Sequence, residues 1–161
     1  MQTRIAATVF ALWTASPLSV TAEPPQESAA SLALRKLVIE ELYPHNRTYR
    51  IVPCVAIAED VQSANWQNPP RELLRGFQDL KALSECRAGL RRGDLGGVPV
   101  YLVVGDVRWK SLGAATISGA FWQGDELLSA CSYELNQQSA KWSMDAAVPL
   151  VAGQACKRRD T

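Results

Sequence analysis

Residues 99–147, PVYLVVGDVRWKSLGAATISGAFWQGDELLSACSYELNQQSAKWSMDAA, decide the fold. Four runs rich in β-branched and aromatic residues, Pro99–Trp109, Ala114–Trp122, Leu127–Asn136 and Lys141–Ala147, stand between short polar separators. Those separators are Lys110-Ser111-Leu112-Gly113, Gln123-Gly124-Asp125 and Gln137-Gln138-Ser139, each of hairpin length. The pattern predicts a four-stranded antiparallel meander. Strand side chains alternate between faces. Simple alternation therefore puts Tyr101, Val103, Val107, Trp109, Ala115, Ile117 and Phe121 on one inner face. Leu127, Cys131, Tyr133, Leu135, Trp142 and Met144 continue it. A sheet with one apolar face needs a cover.

Two upstream segments read as that cover. Ser28 is a suitable N-cap for a helix running to about Tyr43, with Ala30, Leu34, Leu37, Val38 and Leu42 forming one stripe. Pro44 stops it, because the residue before proline is pushed out of helical angles. Asn68-Pro69-Pro70 opens a second helix whose face is Leu73, Leu74, Phe77, Leu80 and Leu83, and Gly76 weakens it. Between the helices, residues 49–58 (YRIVPCVAIA) read as one strand, at an edge or broken because of Pro53. Residues 84–97, with Gly89, Gly93, Gly96 and Gly97, read as loop. The expected fold class is α+β: a curved four-stranded antiparallel meander plus one N-terminal strand, laid over two helices.

The first 22 residues have the parts of a cleavable export signal. Arg4 is the only charge before Glu23, residues 5–13 are apolar, and Val20-Thr21-Ala22 offers small residues at a cleavage point. Thr14, Ser16 and Pro17 interrupt the apolar run, which falls short of the roughly 20 residues of a membrane span. Residues 23–161 are expected to form a single exported domain, periplasmic or extracellular. The formal net charge is +1, and Arg4 supplies one of its positive charges. No nucleic-acid partner is expected, because such binding rests on a clustered basic excess. Lys157-Arg158-Arg159 is a short basic tail followed by Asp160.

Cys54, Cys86, Cys131 and Cys156 are an even set in an exported chain, which favours disulfides. Their spacings match no zinc pattern, and no metal or cofactor is expected. Four cysteines allow three connectivities, and spacing does not choose among them. Cys54–Cys86 with Cys131–Cys156 is the expectation carried forward.

Four pieces of the terminal run follow a recurrent cadence: Val107-Arg108-Trp109, residues 115–122 (ATISGAFW), Cys131-Ser132-Tyr133-Glu134-Leu135 and Lys141-Trp142-Ser143-Met144. This resembles the final strands of small exported bacterial proteins with NTF2-like or cystatin-like domains. The resemblance implies helices laid on a curved sheet and a bacterial source, and carries no catalytic residue across.

No motif specifies a chemistry. His45 is the only histidine, so a Ser–His or Cys–His pair has a single possible base, placed in a turn after Pro44. Glu40-Glu41, Glu59-Asp60 and Asp125-Glu126 are adjacent pairs whose members diverge on a helix or strand. Arg92-Gly93-Asp94 reads as turn chemistry rather than an adhesion motif, and Asn46-Arg47-Thr48 is a glycosylation acceptor only in a eukaryote. Trp109 and Trp142 fall on the expected inner face, so both are assigned to the core. Trp66 lies in a polar loop, Trp122 falls opposite Phe121, and Arg108 shares the face of Trp122. Exposed aromatics anchor binding surfaces. Trp66, Trp122 and Arg108 are therefore the candidate binding surface. The expected function is a non-catalytic binding protein engaging a protein or small-molecule ligand. The alternative is a small secreted hydrolase whose site assembles only in the fold.

Overall fold

A computed structural model describes residues 27–43 and 50–156. Residues 1–22 (read as an export signal), His45, the Asn46-Arg47-Thr48 tripeptide and the basic residues 157–159 lie outside the described residues. Helix α1 (Ala29–Leu42) is followed by strand β1 (Ile51–Ile57), a single helical turn α2 (Arg71–Leu74) and the short strand β2 (Lys81–Ala82). Helix α3 (Leu83–Arg92) precedes the long strands β3 (Val98–Ser111), β4 (Ala114–Gln123), β5 (Glu126–Gln138) and β6 (Lys141–Pro149). The strands form one six-stranded mixed sheet in the order β2-β1-β3-β4-β5-β6. Strands β3 to β6 are the expected antiparallel meander, while β1 runs parallel to both β2 and β3. The fold is α+β, with one strand more than the sequence predicts.

Pro53 does not put β1 at the edge. It pairs in register with Val100, whereas β2 reaches only Cys54 and Val55. Proline is tolerated because its β2 side lies beyond the end of that short strand.

Ser28 caps α1 as expected, its Oγ accepting the Ser31 N–H at 3.1 Å. Leu34, Val38 and Ile39 are fully buried. The second expected helix is cut to one turn. Gly76 has φ +102, a left-handed conformation that ends the helix before Phe77 can join its face. A longer helix, α3, forms instead in the segment expected to be loop. Ala82 has no side-chain acceptor for the first turn. Asn68 serves from afar, its Oδ1 accepting the Ser84 N–H at 2.9 Å, and Glu85 accepts the Ala82 N–H at 2.7 Å. Gly93, at φ +72, closes α3 in the usual left-handed cap.

The sheet has two covered faces. On one, α1 and α2 pack with Leu102, Val104, Ala115, Ile117, Tyr133 and Leu135. On the other, α3 and residues 58–66 pack with Tyr101, Val103, Ala120, Trp122 and Leu127. The single inner face expected from alternation is thus split. The reason is that the strands carry four irregularities, each adding one residue to one strand and reversing parity beyond it. They fall at Gly105-Asp106 and at Lys110 in β3, at Leu128 in β5 and at Asp145 in β6.

Both expected disulfides are present, Cys54–Cys86 and Cys131–Cys156. The first joins β1 to α3 and the second ties residue 156 to β5. Two disulfides fit an oxidising compartment. No helix among the described residues is long and apolar enough to cross a membrane.

Candidate functional site

The structure brings two of the three candidate residues together. Trp66 meets Trp122 edge-on with ring centroids 5.3 Å apart, and Tyr101 at 4.8 Å. Trp122 is only 7 % exposed, and its indole N–H donates to the Val61 carbonyl at 3.0 Å. The Trp66 N–H donates to the Ser63 carbonyl at 2.7 Å. Both polar handles are spent on residues 58–66, so this aromatic trio fastens that loop to the sheet. Trp122 does lie opposite Phe121, as alternation predicts, but its face is covered by α3 and the loop.

Arg108 is exposed and sits apart. Trp122 is paired with Tyr101, and Arg108 lies seven positions further along β3, opposite Thr116. At about 3.3 Å per residue this is roughly 20 Å away.

Among the described residues the exposed aromatic is Trp109, which alternation assigns to the core. It is 45 % exposed and meets Trp142 with centroids 5.7 Å apart and planes at 65°. These residues lie on β3 and β6, with β4 and β5 between them. Three strand steps in a flat sheet would span about 14 Å. The contact therefore requires the far end of the sheet to coil. Leu112, at the β3–β4 turn three residues on from Trp109 in sequence, is 98 % exposed. Trp109 and Trp142 form an aromatic ledge at this distal end, with Leu112 exposed at the adjoining turn.

A length mismatch leaves the ledge open. Strand β3 and helix α1 have 14 residues each. The strand extends about 46 Å at 3.3 Å per residue and the helix about 21 Å at 1.5 Å per residue. One helix cannot cover such a strand. Comparing run lengths, rather than face parity, is the sequence signal that finds Trp109.

An ionic cluster fixes where the cover stops. Arg35, 6 % exposed, donates from Nε to the Gly105 carbonyl at 3.1 Å and from Nη2 to Asp106 Oδ1 at 2.7 Å. Its Nη1 lies 3.1 Å from Glu27. The bulge turns the Gly105 carbonyl and Asp106 toward the helix, which is how a buried cation finds its acceptors. Burial pushes the Glu27 carboxyl above its ordinary range, and Arg35 offsets only part of that.

Shallow clefts also lie on the surface of the described residues. One of about 260 Å³ is lined by Glu40, Tyr43, Phe77, Asp79 and Leu80, with the Tyr43 hydroxyl donating to Asp79. The other, about 320 Å³, lies between Lys81, Glu85, Arg92 and Asp94. Arg92 and Asp94 of the Arg-Gly-Asp tripeptide bond each other at 2.8 Å around the α3 cap, and this bond holds the Asp94 carboxyl below its ordinary range. No group of three or more His, Cys, Asp or Glu side chains that could hold a metal ion occurs among the described residues.

Comparison of the chain with protein families, with curated proteins and with solved structures returns no match.

Proposed function

We propose that this chain is an exported, non-catalytic binding protein of a periplasmic or extracellular space, contacting its partner through the Trp109–Trp142 ledge. One observation carries the reading. A large aromatic side chain keeps almost half its surface in water on a sheet tied by two disulfides, three residues before a leucine that is wholly exposed. Exposed tryptophan on a preorganised scaffold is the commonest kind of binding anchor, because it gives large contact area at small entropic cost. The apolar start of the sequence and the two disulfides support export. The kinship with NTF2-like or cystatin-like domains belongs to the same proposal, resting on the β3–β6 meander laid against α1.

The test is co-purification of the untagged chain from the envelope fraction of its host, as wild type and as Trp109→Ser with Leu112→Ser. A stoichiometric companion held by the wild type and lost by the variant is the expected result. Equal retention by both chains would sink the ledge as the contact surface.

A further inference from the structure

The sheet has two edges of very different length. Strand β2 ends it on one side with two residues, and β6 ends it on the other with nine. Among the described residues β6 pairs with β5 alone. A long edge strand presents backbone N–H and C=O groups that can template another strand. The hairpin turn fixes which groups those are. Ser139 and Ala140 both have positive φ, as in the two-residue type I′ turn, whose closing pair, here Gln138 and Lys141, is hydrogen-bonded. Backbone groups alternate in direction along a strand. Lys141 and Ser143 therefore turn theirs to β5, while Trp142 and Met144 turn theirs outward. The bulge at Asp145 and then Pro149 limit the usable edge beyond them. The side chains divide as well. Trp142 and Met144 pack on the α1 side of the sheet. Lys141, Ser143 and Asp145 are exposed on the other side, where Asp145 accepts from Asn136 Nδ2 at 2.7 Å and from Ser143 Oγ at 3.3 Å.

We propose that β6 pairs with β6 of a second copy of this chain, antiparallel about a two-fold axis at Ser143. Such an axis makes the interface isologous. It sets Trp142 of each copy opposite Met144 of the other, so the outward backbone groups of both residues satisfy one another across the axis. Moving the axis by one residue loses this match. Centred on Trp142, the register sets Met144 opposite Ala140 in the turn. Centred on Met144, it sets Trp142 opposite Ala146, which lies beyond the bulge. The charges select the same register. It brings Lys141 directly opposite Asp145 of the second copy, twice by symmetry and on the face both share. Opposite charges at that cross-strand spacing attract, and like charges repel. Within one chain the two are four residues apart, about 13 Å along the strand. On the other face each indole meets a methionine thioether, a favourable contact. The inference goes beyond the ledge reading, since it rests on the backbone edge and on Lys141 and Asp145 and needs neither Trp109 nor Leu112.

The experiment is sedimentation velocity of the disulfide-bonded chain Glu23–Thr161 over a dilution series, as wild type, Lys141→Glu and Asp145→Lys. The wild type should show a reversible monomer–dimer equilibrium. Either substitution sets two like-charged pairs across the axis and should weaken the dimer about tenfold. When the two variants are mixed in equal amounts, every pair across the axis again joins opposite charges, so a heterodimer of about wild-type affinity should form. Lys141 is exposed beside the turn, so Lys141→Glu leaves the fold intact. It carries the test even where Asp145→Lys, which gives up the Asn136 and Ser143 bonds, melts early. A wild type that stays monomeric at every loading, leaving the edge to an unlike strand, overturns the proposal. So does a dimer that Lys141→Glu leaves unchanged. Neither failure touches the ledge reading, whose co-purification test turns on Trp109 and Leu112.

Discussion

Gly119→Ala is the sharpest probe of how α1 sits on the sheet. Gly119 is in the middle of β4, where alanine is ordinarily the better residue by about 0.5–1 kcal/mol. Here a Cβ would stand 2.7 Å from Val38 Cγ1, 2.9 Å from Tyr133 Cε2 and 3.1 Å from Leu42 Cδ1. Two of these neighbours belong to α1 and the third is a buried ring on β5, so relief requires the helix to lift or the Tyr133 ring to turn. Overpacking a filled core costs typically about 1–3 kcal/mol, and with three simultaneous contacts we expect about 2 kcal/mol. In a domain of this size the melting temperature should fall by about 8 °C. The assay is thermal and urea unfolding of wild type, Gly119→Ala, Val38→Ala and the double variant. Val38→Ala removes the nearest colliding atom, so it should cost clearly less in the alanine background than alone. A neutral or stabilising Gly119→Ala, with additive effects in the cycle, would refute this placement of α1.

Other perturbations follow from the same packing. Ser139 and Ala140 form the β5–β6 turn with φ +50 and +65, so Ser139→Asn with Ala140→Gly should raise stability by about 1–2 kcal/mol in urea unfolding. Arg35→Met leaves Glu27 and the Gly105 carbonyl without their cation and should cost about 2–3 kcal/mol in the same assay, part of the pairing being screened at the exposed Asp106. Because the folded-state pKa of Glu27 is raised, the folded chain binds more protons than the unfolded one, and stability from this group falls as pH rises through and just above the ordinary carboxylate range. Urea midpoints of Glu27→Gln should lack that component, and an unchanged pH slope would contradict it. Replacing Cys54 and Cys86 by alanine opens a 32-residue separation between two fully buried positions and should cost about 3–4 kcal/mol, read as a lower melting temperature.

The meander was legible because its strands alternate and its separators have hairpin length. The faces were not, because single extra residues at Gly105-Asp106, Lys110, Leu128 and Asp145 reverse parity, and nothing local in the sequence marks them. Helix α3 escaped notice for two physical reasons. Its buried face is only Leu83, Cys86 and Gly89, diluted by Glu85, Arg87, Arg91 and Arg92. Its cap also comes from Asn68, which stands before the one-turn α2 and reads as that helix's own cap. The disulfide pairing agreed with expectation, joining each cysteine to the next in sequence, β1 to the helix α3 and β5 to residue 156. The candidate site was half legible. Trp66 and Trp122 do meet, but a tryptophan off the expected inner face need not be exposed when a second layer covers that side. Trp109 was hidden because alternation reports which face a residue takes and not how far along the strand the cover extends.

The most direct test of the account is native mass spectrometry of the untagged protein from the envelope fraction of its own host. The account predicts a chain of residues 23–161 less four hydrogens for its two disulfides, carrying a stoichiometric companion mass that is lost when Trp109 and Leu112 become serine. A chain retaining residues 1–22, or a bare monomer with no companion at any loading, would contradict it.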